Sequence, residues 1–515
     1  MPETTGIPKL PETPSGKLVR RAPTIRAEEE GLATATTATR SSIANFLAPR
    51  DTDSAARRHL IAAVVFLLVA GFFTLLLVMK LAYPGFLGGQ AFTTYGRLRP
   101  IAVSATVLGF LTLMHLAAVY YLVPRLTGAR LWNERLANLG LWLAVGVNVA
   151  AILLLAAGYS DGREWLEIPW WLDIAVVAML LVPTAVVTRT MRDRTEEGLF
   201  VSLWYLLAGL YWVIGLFVAG GIPNLYGAAS QIQSSFFVAG IIELWVIGIG
   251  IGTAYYLVPK ITDNPLFNRQ LAIIGFWSLA FAGGWVGQSR FVYGPGPEWL
   301  ETTASVFSLA LVVAAMAVVT NLIGTMRGKW SMMHESAALR FTMVGAGLFM
   351  VVEVIRFLQS WRSVAAITGL TSFGDGTMVL ILFGLAGLWA AAFTYHALPR
   401  LIGRRMYSER LITVHLRATL IGAGSLAALL WLAGLISGYS WAAGALTGTY
   451  VAVGDGFANT LDQVRPAYGL AALAALVLFA GQFAFVYNTY RTFTSGRPTE
   501  HETLIPKGPA EVTHE

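Results

Sequence analysis

Three long apolar runs in this chain end alike. Tyr120-Tyr121-Leu122-Val123-Pro124-Arg125, Tyr255-Tyr256-Leu257-Val258-Pro259-Lys260 and Thr394-Tyr395-His396-Ala397-Leu398-Pro399-Arg400 each close one. Twelve residues after each proline stands a leucine: Leu136, Leu271 or Leu411. The segments between, Leu131-Trp132-Asn133, Leu266-Phe267-Asn268 and Met406-Tyr407-Ser408, keep the same register. The prolines are 135 and 140 residues apart, so a helix end, a turn and a helix start recur at every fourth apolar run. Internal repeats of this kind mark membrane bundles built about a central site. Whatever the chain encloses is expected among the three helices that end in those prolines.

The class follows from composition. With 56% hydrophobic and 13% charged residues and a mean hydropathy of +0.62, the chain reads as a polytopic membrane protein. A spanning helix needs about 20 mostly apolar residues. Twelve runs qualify, roughly 59–82, 98–123, 134–158, 171–188, 199–220, 232–257, 270–289, 303–325, 338–360, 374–398, 411–437 and 468–490. The repeated ending closes the second, sixth and tenth. There is no cysteine, which excludes disulfides, thiolate metal sites and thiol catalysis. The first apolar run is too long for a signal sequence and follows some 58 polar residues, so no cleaved signal is expected.

The net charge of +7 invites a nucleic-acid reading, but its distribution opposes one. With both termini in the cytoplasm, 27 Lys and Arg fall inside and seven outside, with Arg356 and Arg417 within helices. That bias sets topology in a prokaryotic inner membrane rather than a nucleic-acid partner. Residues 1–58, rich in Pro, Thr, Ser, Arg and Glu, are expected to form a disordered cytoplasmic extension. Residues 59–490 form the membrane domain, and 491–515 a polar tail.

Outside the spans, few stretches suggest chemistry. Thr94-Tyr95-Gly96-Arg97-Leu98-Arg99-Pro100 opens the second helix, where Arg97 and Arg99 suit an anionic group or an anchor among lipid headgroups. Taken alone, the anchor is the simpler reading. Gly454-Asp455-Gly456 lacks the ligand series and closing glutamate of a calcium loop and is read as a turn.

The helix order, Tyr95–Pro100 and the thrice-used ending together resemble subunit I of the heme–copper oxidase superfamily, nearest to cbb-type cytochrome oxidases and the large subunit of nitric oxide reductase. Tyr255–Lys260 and Phe276-Trp277 match the cbb-type pattern, and the resemblance spans about residues 60–490. It implies an all-α membrane protein of twelve transmembrane helices in a pseudo-threefold bundle of the cytochrome oxidase subunit I type. Helices two, six, seven and ten of that family carry histidines for two hemes and a copper ion.

Here those positions hold other residues. Ala102 follows Gly96-Arg97-Leu98-Arg99-Pro100-Ile101, where the family has a heme histidine. Counting back from Pro259, the copper histidine falls at Ala239, and two further copper ligands in helix seven become Ser289 and Arg290. The tyrosine that cbb-type enzymes carry in that helix falls at Gly283, and the His-x-His pair of helix ten falls at Thr377 and Val379. Both groups require converging imidazoles. Of the seven histidines only His115 sits well inside a span, and its repeat equivalents are Gly250 and Ala390, so it is expected to be a hydrogen-bonded packing residue. Met378 lies between the helix-ten positions but points about 100° from either.

Ionisable residues at membrane depth cost at least ~2.5 kcal/mol each and mark function. Glu243 lies four residues after Ala239, and Glu353 and Arg356 are spaced to pair in helix nine. Glu353 also matches a glutamate of the family's Phe-Glu-Gly-Pro motif, with Val354-Ile355 in place of Gly-Pro. Arg290 is expected to pair with Glu243 or another acceptor. The expectation is a heme- and copper-free relative of oxidase subunit I, a scaffold or partner subunit in a respiratory complex, contacting lipid and other membrane subunits. The competing readings are a working oxidase or nitric oxide reductase, a transporter or channel using the same bundle, and quinone or heme-precursor binding at Arg97 and Arg99.

Overall fold

In the computed structural model, residue 45 and residues 47–221, 227–294, 296–447 and 453–498 are described. The chain divides into Met1–Pro49 and Arg50–Glu515, and the membrane helices all belong to the second unit. The extension expected over residues 1–58 lies mostly outside the described residues, as does most of the tail.

Twelve helical spans follow one another: α1 (Ser54–Ala82), α2 (Tyr95–Thr127), α3 (Glu134–Ala157), α4 (Trp170–Arg192), α5 (Val201–Gly220), α6 (Ala228–Thr262), α7 (Arg269–Ala282), α8 (Glu298–Thr325), α9 (Ala337–Gln359), α10 (Phe373–Ile402), α11 (Glu409–Ala442) and α12 (Asn459–Ser495). Among the described residues, eleven are long and apolar enough to cross a membrane alone. α7 is the exception: it breaks after Ala282 and continues, bent by 49°, as the 3₁₀ turn Trp285–Phe291. Among the described residues there are only two isolated β-bridges and no strand. The helices overrun several of the apolar runs read from sequence, because hydropathy marks the bilayer core and not the helix ends. Gly454-Asp455-Gly456 is not a turn. It belongs to the first turns of the helix Val453–Ser495.

The three helices with the repeated ending form the middle of the bundle, each packed against the other two. In α2 and α6, 94% of the most apolar window is buried, and in α10 83%, against 39–56% in the remaining spans. Polar caps begin the helices that follow the repeat: Asn133 accepts from the Leu136 N–H and Asn268 from the Gln270 and Leu271 N–H groups. The aligned Asn positions of the first two repeats are thus capping positions. The central helices share one more feature. Each changes from α to π winding over seven residues: Ala105–Leu111, Ile241–Ile247 and Leu380–Ala386. Such stretches are rare and concentrate at functional sites.

Candidate functional site

The wall between α6 and the broken end of α7 holds three of the six family ligand positions. Ala239 is 2% exposed. Against it lies Gly287, where an added methyl would overlap the backbone carbonyl of Ser235 and reach the Ala239 Cβ. Glycine is needed here because two backbones meet. Ser289 does not face a shared centre through its hydroxyl, which donates to the Val286 carbonyl at 2.8 Å within its own turn. In α10, Thr377 donates to Gln359 Oε1 at 3.2 Å and accepts from Trp431 Nε1 at 3.1 Å. Val379 is half-buried, Met378 packs against the core and Ala102 is buried.

Two tryptophans occupy the middle of the bundle. Trp245, fully buried in the π stretch of α6, donates to Thr112 Oγ1 of α2 at 3.0 Å. Trp389 of α10 donates to the Thr342 carbonyl of α9 at 3.1 Å and lies flat against Gly250, where any side chain would overlap the indole. His115 meets the Trp245 ring edge-on at 5.3 Å. It is buried as a packing residue would be, but its Nδ1 finds no protein partner. The ring lines a cavity of about 10 Å³ with Met114, Thr253 and Trp389, room for one water.

Of the expected pairs, Glu353 with Arg356 is present and Arg290 with Glu243 is not. Glu243 (0% exposed) pairs with Arg356 (14%), which also bonds Glu353 (1%) at 3.3 Å. One guanidinium therefore serves two buried carboxylates from α6 and α9. The second oxygen of Glu243 has no partner. Arg290 does not join this triad. It pairs with Glu164, in the loop between α3 and α4, at 2.8 Å, and the same carboxylate takes Arg99 of α2 at 3.0 Å. Asp375, at the start of α10, lies 4.0 Å from Arg99. This outer cluster ties the entry of α2, the end of α7 and the entry of α10 to one loop. Arg97 donates to the Ala156 carbonyl at 2.8 Å, so neither arginine of the rim is a free headgroup anchor.

Two loop carboxylates differ through their surroundings. Burial opposes ionisation of Glu164, but Arg290 and then Arg99 outweigh it and hold the carboxyl below its usual range. Glu167 lacks such a partner. Burial pushes it up to about 7, against the weaker pull of the Trp165 N–H. It lines a cavity of about 20 Å³ with Ser104, whose hydroxyl is buried and unpartnered. Sequence reasoning passed over Glu167 and Glu164 because nothing in Trp165-Leu166-Glu167 marks burial. It also missed the π stretches, Trp245 and Trp389, for which Gly250 was the available clue.

Among the described residues, no group of three or more His, Asp or Glu is arranged to hold a metal ion. The comparisons with known proteins fit the helix order. The chain is 25% identical over 461 residues to the Cbb3-type cytochrome c oxidase subunit CcoN1 of Stutzerimonas stutzeri, covering 87% of this chain and 96% of that protein. It is 27% identical over 454 residues to a cytochrome c oxidase subunit 1 homolog of Agrobacterium tumefaciens, covering 84% and 82%. A shorter match, 34% over 87 residues, is to a nitric oxide reductase chain of Stutzerimonas stutzeri and covers 16% of this chain and 17% of that one. A heme–copper terminal oxidase solved by cryo-electron microscopy as a dimer shares the fold, with a TM-score of 0.70, 14% identity and coverage of 86% and 85%. The family profile of cytochrome C and quinol oxidase polypeptide I matches residues 54–478, and with that match over most of its length the chain belongs to this family.

Proposed function

We propose that this chain is a non-catalytic member of its family, a membrane scaffold or partner subunit of a respiratory complex that holds neither heme nor copper. The observation that carries the reading is the set of side chains at the aligned ligand positions. A copper ion held by histidines needs neutral imidazoles converging at about 2.0 Å. At the aligned positions stand Ala239, a serine hydroxyl bonded within its own turn, and an arginine tied to Glu164. Ala239 itself ends in a methyl, which offers no ligand atom. The heme positions fare no better: Thr377 is committed to Gln359 and Trp431, and Ala102 and Val379 offer no ligand atom. The residues present do not fit the family's metals, so no redox step is assigned to them.

The Glu243–Arg356–Glu353 triad supports a structural role in the same reading. A guanidinium between two buried carboxylates locks α6 to α9. The distribution of Lys and Arg supports an inner-membrane protein with both termini in the cytoplasm. Exposed apolar side chains along the outer spans, such as Leu153, Ile174, Phe281 and Leu473, suit lipid and neighbouring membrane subunits. The test is an absorption spectrum and metal analysis of the purified full chain, expressed in cells that make heme and supplied with copper. No Soret band and no stoichiometric iron or copper is the expected result. A Soret band with near-equimolar iron would overturn the proposal and restore the oxidase reading.

A further inference from the structure

The repeated ending builds a second constellation, at the opposite end of the central helices from the ligand positions. Three residues before each proline stand Tyr121, Tyr256 and His396. The His396 ring meets both tyrosines edge-on, with centroids 6.2 Å from Tyr121 and 5.9 Å from Tyr256. One ring from each central helix thus forms a floor about the pseudo-threefold axis. One residue after each proline stands a cation: Arg125, Lys260 or Arg400. All three are exposed; Arg125 stacks on the Tyr121 ring, Arg400 bonds the His396 carbonyl, and Lys260 holds the matching place in its repeat, so the cations follow the floor on each helix.

The three cations are not equally engaged. Arg125 holds Asp53 through two bonds, of 2.9 and 2.7 Å, and stacks on Tyr121 at 3.6 Å. Asp53 adopts a left-handed backbone, φ 61°, with its N–H held by Glu134 at 2.9 Å. A non-glycine residue held in that conformation is strained, and here the strain accompanies delivery of a carboxylate to one corner of the cup. The other two corners have no such anion. Arg400 donates to the His396 carbonyl at 2.6 Å and has no acidic partner among the described residues. Among those residues nothing answers Lys260, the Tyr256 hydroxyl or the His396 ring nitrogens with a hydrogen bond.

We propose that this cup binds a phosphate group carrying two or more negative charges, with Lys260 and Arg400 as its charged contacts and Tyr256 and His396 beneath. The chemistry fits because an ammonium and a guanidinium from different helices can each take an oxygen of one phosphate, while Asp53 neutralises Arg125. Two sources share this chemistry: a soluble phosphate compound and the headgroup of an anionic lipid at the edge of the bilayer. Under the orientation proposed above the cup opens to the cytoplasm, but the site does not depend on that orientation. The bland alternative is that the cations only neutralise three helix C-termini and set topology.

The experiment uses the full chain in nanodiscs of zwitterionic lipid, which leave both faces accessible. Pyrophosphate is titrated calorimetrically, and in a second arm phosphatidic acid is added to the nanodiscs and retained lipid is read by native mass spectrometry. The variants are K260Q/R400Q and, as a charge-matched control, R189Q/R192Q at the end of α4, all judged folded by thermal melting. Pyrophosphate binding that weakens by about tenfold or more in K260Q/R400Q but not in the control supports the site with a soluble occupant. Retention of phosphatidic acid with the same dependence, and no pyrophosphate binding, supports it with a lipid occupant. If the double variant does not fold, K260Q alone decides, since Lys260 has no partner to lose, and weakening of about threefold is required. Binding of neither probe, or equal loss in the control, overturns the proposal.

Discussion

The two halves of the central helices obey different rules. In the half that ends at the prolines, corresponding positions carry like residues: Tyr121, Tyr256 and His396, then proline, then a cation. In the half that carries the family's ligand positions, each helix is settled separately. α6 lies against the bare backbone of Gly287, α10 is held by Gln359 and Trp431, and α2 by its own packing. The π stretches stand between the halves in all three helices. The symmetric half keeps what three converging helices need to meet, and that need persists whatever the other half encloses. Between the helices, two central indoles and one buried ionic triad add specific ties to the packing.

The sharpest break in that comparison is at the triad. Replacing Arg356 by alanine leaves Glu243 and Glu353 buried without a counter-charge, which should cost about 3–5 kcal/mol. The denaturation midpoint in detergent micelles would fall accordingly. The companion variant, R356M with E243Q and E353Q, should recover most of the loss because no charge remains to be compensated. Failure of the single substitution to destabilise would mean that the ligand half is held by something else.

At the outer edge of the same half, Glu167 offers a pH-dependent test. Its folded value of about 7 lies above the usual 4.5, so the folded chain holds a proton that the unfolded chain releases. The stability this contributes is fully present below pH 4.5 and is lost as pH rises through about 7. A shift of this size corresponds to about 3 kcal/mol. Melting curves from about pH 4.5 to about 8 should show that loss, and E167Q should make it shallower. Glu164, held below its usual range by Arg290 and Arg99, works with the opposite sign, lost as pH falls.

The closed wall predicts a smaller effect. An A239H substitution enlarges a side chain that is 2% exposed where α6 meets α7, overpacking that contact at about 1–3 kcal/mol. The variant should melt lower and take up no copper on dialysis. Copper bound at one per chain in A239H would show that the wall opens and that the position retains more of the family's geometry than its packing indicates.

The symmetric half was readable from sequence because it repeats in one dimension. Pro124, Pro259 and Pro399 align without gaps, and a register that recurs three times needs no knowledge of contacts. The six ligand positions could be located by counting from those prolines, but not what surrounds them. Arg290 is expected to pair with Glu243 or another acceptor, and the acceptor is Glu164, from a loop far away in sequence. Arg356 was read as the partner of Glu353, and it also reaches across to α6. Ion pairs between helices depend on which faces meet, and a hydropathy pattern carries no azimuth for helices that are apolar all round. The π winding was invisible for a related reason: it shifts the register by local hydrogen bonding, without a required residue type.

The smallest expected effect tests the symmetric half itself. His396 is the one residue of the aromatic floor that departs from the repeat, and H396Y would make the three positions Tyr, Tyr and Tyr. Both existing ring contacts are edge-on, near 90°, a geometry that a phenol can keep. The phenol is larger by one ring atom and a hydroxyl, and the tyrosines at the two equivalent positions show that these helix ends accept that size. The change in stability should therefore stay within about 1 kcal/mol. A loss of several would mean that α10 meets α2 and α6 at a different height, and that the likeness of the three endings is one of sequence more than of structure. A stability near that of the natural chain would instead show that the helices treat the three positions as equivalent, so that the imidazole is there for its ring nitrogens and not for its fit.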